Sequence, residues 1–252
     1  MLASAVVYIG LTIALVGLIG IVKPIAWTRM STRLRALAVA GAGAMIAGVG
    51  FVLPAPESRI IHVETRLDEF APVWQFSEFH TIRIAAPPAR VFDAIGRVRA
   101  DEILLFRTLT WIRRGGRPLP QSILNAGDRD SLIDVATKSG FLRLAEDAPR
   151  ELVVGAVIGA PPGTRGTRAK LTPAVFQTTL PPGFTLATMN FVVTPDGLDR
   201  SIVTTETRVF ANSASARRRF AAYWRVIYPG STLIRRMWLR AIERRATRPD
   251  GI

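Results

Sequence analysis

Two uninterrupted apolar runs open the chain. Leu2 to Val22 contains no charged residue. At about 1.5 Å per residue, a helix of that length spans roughly 30 Å, the thickness of a bilayer's hydrocarbon core. Ala36 to Leu53 is likewise uncharged, is rich in Ala and Gly, and is ended by Pro54. Small residues suit close helix contact in lipid. Ala40, Ala44 and Gly48 recur at every fourth position, and Gly10 and Gly17 offer notches in the first run. The pattern predicts a two-helix transmembrane hairpin with spans at about 2–22 and 36–53. The glycines around Gly41 and Gly43 do not form a nucleotide loop, because no strand precedes them and Ile46 stands where a third glycine belongs.

After Leu53 the periodicity changes. Pro54 to Val73 mixes charges with Pro54, Pro56 and Pro72 and reads as a tether. From Phe76 to Ala85 the period is two: Phe76, Glu78, His80, Ile82 and Ile84 share one strand face, and Ser77, Phe79, Thr81 and Arg83 the other. Pro87-Pro88 ends the strand and suits a helix's first turn. Val91, Phe92 and Ile95 then fall at helical spacing within Ala89–Val98. Asp101 can cap a second helix whose apolar side is Ile103, Leu104, Phe106, Leu109 and Trp111, stopped by Gly115-Gly116. Ser131 to Thr137 suits a helical turn.

From Gly140 the pattern is strands divided by turn residues: Phe141–Glu146, Glu151–Ile158, Val175–Leu180, Thr185–Thr194 and Ser201–Phe210. A loop with Gly163 and Gly166 occupies Pro161 to Arg168. The last element is a helix starting near Ser213 or Ser215. Its stripe is Phe220, Trp224, Ile227, Ser231, Ile234, Trp238 and Ala241. Pro229 interrupts it, so a kinked helix or two abutting pieces are expected.

Composition changes this picture little. The 252 residues hold no cysteine, which removes disulfides and thiolate chemistry, and mean hydropathy is +0.26. The formal charge is +14, almost all of its positive part arginine, with lysine only at Lys23, Lys138 and Lys170. Such a charge favours anionic partners, although an Arg- and Ala-rich composition is also what a biased genome gives. The loop between the apolar runs carries Lys23, Arg29, Arg33 and Arg35 and no acid. Short basic loops stay cytoplasmic, which places the C-terminal domain on the outer face of the cell membrane. A cleaved signal peptide fits less well, since no basic residue precedes Lys23.

Strand, two small helices, antiparallel strands and a long terminal helix is the order of the helix-grip fold. Three stretches carry the resemblance: HTIRIAAPPARVFDAI (His80 to Ile95), TTETRVF (Thr204 to Phe210) and FAAYWRVIYPGSTLIRRMWLRAIERRA (Phe220 to Ala246). In these the chain resembles bacterial members of the SRPBCC superfamily, which includes START lipid-transfer domains and polyketide cyclases. The resemblance covers about residues 74–247, leaving a short tail at 248–252. It implies an α+β domain in which a curved antiparallel sheet wraps the long helix around an apolar cavity. The implied function is a membrane-anchored START-like module that binds a hydrophobic small molecule: a lipid, an isoprenoid or a polyketide. It implies no cofactor.

Glu78 and His80 share a face with Ile82 and Ile84, so a carboxylate and an imidazole would point towards the helix and could orient a ligand or act as acid and base. In the fold it resembles, the first and last strands are neighbours, which would bring Glu206 and Arg208 close by. Phe106, Trp111 and Trp224 are the aromatic candidates for lining the cavity. A structural ion-pair network and an aromatic core are the plainer readings of both groups. Arg235, Arg236, Arg240 and Arg244 would offer a basic face to anionic lipid head groups, each exposed cation contributing about 1 kcal/mol. Nucleic acid is not expected as a partner of an outward-facing domain, and the oligomeric state is not legible. Metal binding is not expected, because His62 and His80 have no ligand spacing, and no Gly-x-Ser-x-Gly elbow is present. An enzymatic alternative is a cyclase or aromatase using His80 or Glu78. A third is an envelope interaction module with a filled core.

Overall fold

The computed structural model describes residues 2–23, 32–161, 163–164, 172–177 and 180–248. They form two compact units: Met1–Ala55 with Arg218–Tyr228, and Pro56–Arg217 with Pro229–Ile252. Arg29, the loop beyond Thr164, residues 178–179 and the tail from 249 lie outside the described residues.

In the first unit, α1 (Leu2–Val22) and α2 (Arg33–Val52) pack as an antiparallel pair. The second helix starts three residues earlier than its uncharged stretch, because the Thr32 hydroxyl accepts a hydrogen bond from Arg35 N (3.3 Å) and caps the first turn. The backbones almost touch. A Cβ built on Gly10 would lie 2.3 Å from Ala47 N, one on Gly43 2.3 Å from Ala14 N, and one on Gly17 2.4 Å from Ala40 N. The seam on α2 is Ala36, Ala40, Gly43, Ala47 and Gly50. Ala44 and Gly48 face away from it, contrary to expectation. A strict fourth-residue stripe drifts around a helix with 3.6 residues per turn, whereas alternating steps of four and three stay on one face. Both helices are long and apolar enough to cross a membrane, and only 22% and 28% of their apolar windows are covered by the rest of the chain.

The second unit begins with β1 (Ser58–Arg59), α3 (Arg66–Phe70) and β2 (Val73–Trp74), which occupy what the sequence reads as a tether. The segment is folded because Leu67 and Phe70, one helical turn apart, are buried against Val153 and Leu144 of the sheet. Next come β3 (Phe76–Ile84), α4 (Pro88–Arg97), a 3-10 turn at Ala100–Glu102 and α5 (Phe106–Arg113). Asp101 therefore lies inside that turn and does not cap a helix. Leu105, in the left-handed region (φ 61°), separates the turn from α5. Gly115 and Gly116, with φ of 61° and 71°, end α5 where expected. Then follow α6 (Leu132–Lys138), capped by Ser131, and β4 (Leu142–Asp147), β5 (Glu151–Gly159), β6 (Thr185–Pro195) and β7 (Ser201–Ala211). Pro173–Gln177 is a 3-10 turn, not the start of a strand.

The chain closes with α7 (Ala214–Ala246), one helix that continues through Pro229. Its stretch Arg218–Tyr228 belongs to the first unit and its remainder to the second.

The sheet runs β3-β7-β6-β5-β4, antiparallel throughout. Its inner face carries Ile84, Val203, Met189, Phe191, Val193, Leu152 and Val154, which form one core with Trp238, Leu239 and Ile242 of α7. A five-stranded antiparallel sheet packed on a long C-terminal helix is a helix-grip-like α+β arrangement. At the level of Trp238 the space between sheet and helix is filled: its ring meets Phe191 edge-on at 5.1 Å between centroids.

Candidate functional site

The period of two in β3 does what the sequence implies for Glu78 and His80. Both lie on the face that meets α7. His80 Nε2 is 2.8 Å from Glu78 Oε1, and Ser231 donates to Glu78 Oε2 at 2.8 Å. Since an ionised carboxylate only accepts, Nε2 carries the proton. Burial of Glu78, 3% exposed, pushes its pKa up, but the His80 hydrogen bond, the positive charge of Arg235 and the hydroxyls of Ser231 and Thr232 outweigh this. Glu78 is held below its ordinary value and stays charged. Arg235 is itself brought down to about 10, chiefly by burial; the charge of Glu78 opposes this, and the like charge of Arg113 adds a smaller downward push. Its guanidinium stands 5.3 Å from the Trp238 ring centroid.

Two buried donors in this region have no hydrogen-bond partner among the described residues: Trp238 Nε1 and Thr232 Oγ1, the latter near Glu78 without reaching hydrogen-bond geometry. His80 makes no second hydrogen bond there either. Chemically the group is an ionised carboxylate that fixes one imidazole tautomer beside an arginine.

Glu206 and Arg208 do not join it. Strands β3 and β7 are neighbours, but their register pairs Glu78 with Thr207 and His80 with Thr205, while Glu206 pairs with Phe79 and Arg208 with Ser77. Cross-strand partners share a face, so both charged residues point to the opposite side of the sheet. There Arg208 forks onto Glu206 (2.7 and 3.0 Å), reaches Asp68 (2.6 Å) and the Ala71 carbonyl (3.1 Å), and lies 4.0 Å from the Trp74 ring centroid. Burial lowers the Arg208 pKa, but Glu206 and Asp68 outweigh it and hold it above the usual value. Glu151 extends the outer network, accepting from Arg66 N, Leu67 N and Asn190 Nδ2. This is a pinning network for α3. The sequence gives no sign of Glu151 and Asn190, because the partners of Glu151 lie 39 or more residues away and Asn190 Oδ1 accepts from Glu206 N across a strand pairing that only the register fixes.

Phe106 and Trp111 meet in a groove of about 500 Å³ between α5 and the following loop, with Arg107, Thr108, Thr110, Arg114, Leu124, Asn125 and Ala126. Arg107 is paired with Asp128, whereas the buried Arg114 Nε has no partner among the described residues. Glu78 and His80 are not among the lining residues. Trp224 belongs to the first unit, where it stacks on Phe220 at 5.8 Å and meets Tyr228 at 5.5 Å.

Of the four arginines proposed for a lipid-facing surface, Arg236, Arg240 and Arg244 are exposed at every fourth position of α7, and Arg235 is set apart from them. Arg235 turns inward, Arg244 donates to the Glu102 carbonyl (2.6 Å), Arg240 pairs with Glu243 (2.8 Å), and Arg236 is exposed. Among the described residues no group of three or more acidic or imidazole side chains could hold a metal ion.

No family model matches the chain, and no curated protein does. Among solved structures it is similar to the di-domain ARO/CYC BexL from the BE-7585A biosynthetic pathway (14% identity, 89% of this chain, TM-score 0.30). The chain spans 61% of that structure's length. It is also similar to the Zhui aromatase/cyclase from Streptomyces sp. R1128, with 13% identity, a TM-score of 0.28 and coverage of 70% of this chain and 99% of that one. Likeness at this level carries no weight for function; the helix-grip description stands on strand order and the terminal helix.

Proposed function

We propose that the chain is a membrane-anchored module that holds a hydrophobic small molecule in the groove walled by Phe106, Trp111, Leu124 and Ala126. The observation that carries this reading is the groove itself. About 500 Å³ with two aromatic walls falls within the range of ligand clefts, roughly 300–1,000 Å³.

The anchor is α1 with α2. Leu2, Ile9, Leu15 and Leu18 of α1 and Leu37, Met45 and Val49 of α2 all point outward and are more than half exposed. Exposed apolar faces of this extent are costly in water and suited to lipid. Extracting the purified full chain with organic solvent and analysing the extract by mass spectrometry tests the binding function. A hydrophobic molecule near one per chain supports it; a clean extract together with no displacement of a lipid probe contradicts it.

The Glu78–His80 pair favours a second reading, acid–base chemistry on a polyketide-like substrate. An imidazole oriented by an ionised carboxylate is a recurrent arrangement for proton transfer. That reading requires a substrate atom within reach of His80, whose side chain is only 10% exposed.

A further inference from the structure

Segment Arg218–Tyr228 is fastened to one end of the apolar helix pair. The Tyr8 hydroxyl donates to the Val226 carbonyl at 2.6 Å. Arg225, 4% exposed, donates to the carbonyls of Phe51 (2.6 Å) and Leu53, at the last turn of α2. The antiparallel pairing puts the start of α1 and the end of α2 at the same edge, since Gly50 abuts Val7.

The two sides of the segment differ. Phe220, Ala221, Trp224 and Arg225 are buried. The outward stripe is Arg218, Arg219, Ala222, Tyr223 and Val226, spaced by one and three residues as on a single helix face. Its first turn is cationic and the remainder apolar, with Tyr223 38% and Val226 52% exposed.

Tyr8 fixes the depth. It lies six residues into α1, about 9 Å from the helix start at 1.5 Å per residue. If α1 spans the bilayer, Tyr8 and the Val226 carbonyl therefore sit in the outer part of the acyl layer, within the roughly 5–10 Å to which amphipathic helices lying in the interface are buried. Aromatic side chains concentrate just above, towards the head groups, and Phe220, Tyr223, Trp224 and Tyr228 cluster along this segment.

We infer that residues 218–228 are an interfacial membrane segment whose Ala222–Tyr223–Val226 face lies in the outermost acyl layer and whose Arg218 and Arg219 meet anionic lipid head groups. The inference rests on the anchoring proposed above. An amphipathic helix of this kind combines buried apolar area with attraction to anionic lipid.

The absence of cysteine makes the test direct. Single-cysteine variants of the full chain, Val226→Cys, Leu15→Cys in mid-α1 and Leu198→Cys in a turn that is 94% exposed, are labelled with an environment-sensitive fluorophore. They are then reconstituted in vesicles of phosphatidylcholine with or without phosphatidylglycerol. The expected result is blue-shifted emission at 15 and 226, quenched at 226 more by shallow than by deep spin-labelled lipids, with label 198 quenched by aqueous iodide. In the Arg218→Glu, Arg219→Glu background, phosphatidylglycerol no longer increases lipid quenching at 226. Label 226 open to iodide while label 15 is in lipid overturns the inference and leaves the anchor standing. Label 15 in water overturns the anchor as well.

Discussion

At the scale of single residues, Glu78 is the most informative position. It is almost fully buried, yet both of its oxygens are hydrogen-bonded and its pKa is depressed. The unfolded chain therefore binds this proton more readily than the folded one. The carboxylate's contribution to stability is fully present above the ordinary glutamate value near 4.5 and is lost as pH falls through the lower folded value. Charge-assisted hydrogen bonds of this kind are worth about 1.5–3 kcal/mol. Glu78→Gln is expected to melt roughly 5–10 °C below the native chain at pH 7, with the gap closing below about pH 4.5. A gap unchanged down to pH 3 contradicts this. The position was legible as an inward carboxylate because β3 alternates cleanly. Glu206 and Arg208 were misplaced because adjacency of β3 and β7 says nothing about face; only the register does, and register is set between strands more than a hundred residues apart.

Among elements, the α1–α2 pair separates close packing from mere smallness. Gly43 has the Ala14 backbone 2.3 Å from where a Cβ would sit, while Gly48 has nothing within 4 Å. Gly43→Val is expected to destabilise the pair by about 1–3 kcal/mol or more, through forced separation of the two backbones, and Gly48→Val by far less. Thermal melting of both variants in detergent checks this; equal melting temperatures contradict it. Element existence was readable wherever periodicity is local, as in α4, α6, β5, β6, β7 and α7. It failed for α3, whose reasons to fold are distant. Leu67 and Phe70 need Val153 and Leu144 to cover, and Asp68 needs Arg208, 140 residues on. Within a run of prolines and mixed charges those three residues look like tether. The strand expected at Val175–Leu180 failed over its described start for a related reason: so short a stretch carries no periodicity to distinguish a strand from a turn packed by Phe176.

For the whole molecule, the sequence conveyed the order of parts: an apolar helix pair, then an antiparallel sheet with a long terminal helix. It did not convey where a ligand would sit. The resemblance pointed to the space between sheet and α7, yet Trp238, Phe191 and Ile242 close that space at their level, and the groove lies at α5. Side-chain volumes decide such a matter, and a hydrophobic pattern does not resolve them. The central claim is that this groove holds a hydrophobic molecule. Its most direct test is the fluorescence anisotropy of a long-chain carboxylate probe titrated with the detergent-solubilised full chain, with Trp111→Ala and Ala126→Trp variants alongside. Saturation at one probe per chain, weakened tenfold or more in both variants while their melting temperatures stay near native, is the expected result. Unsaturable partitioning that is the same in all three proteins would contradict it.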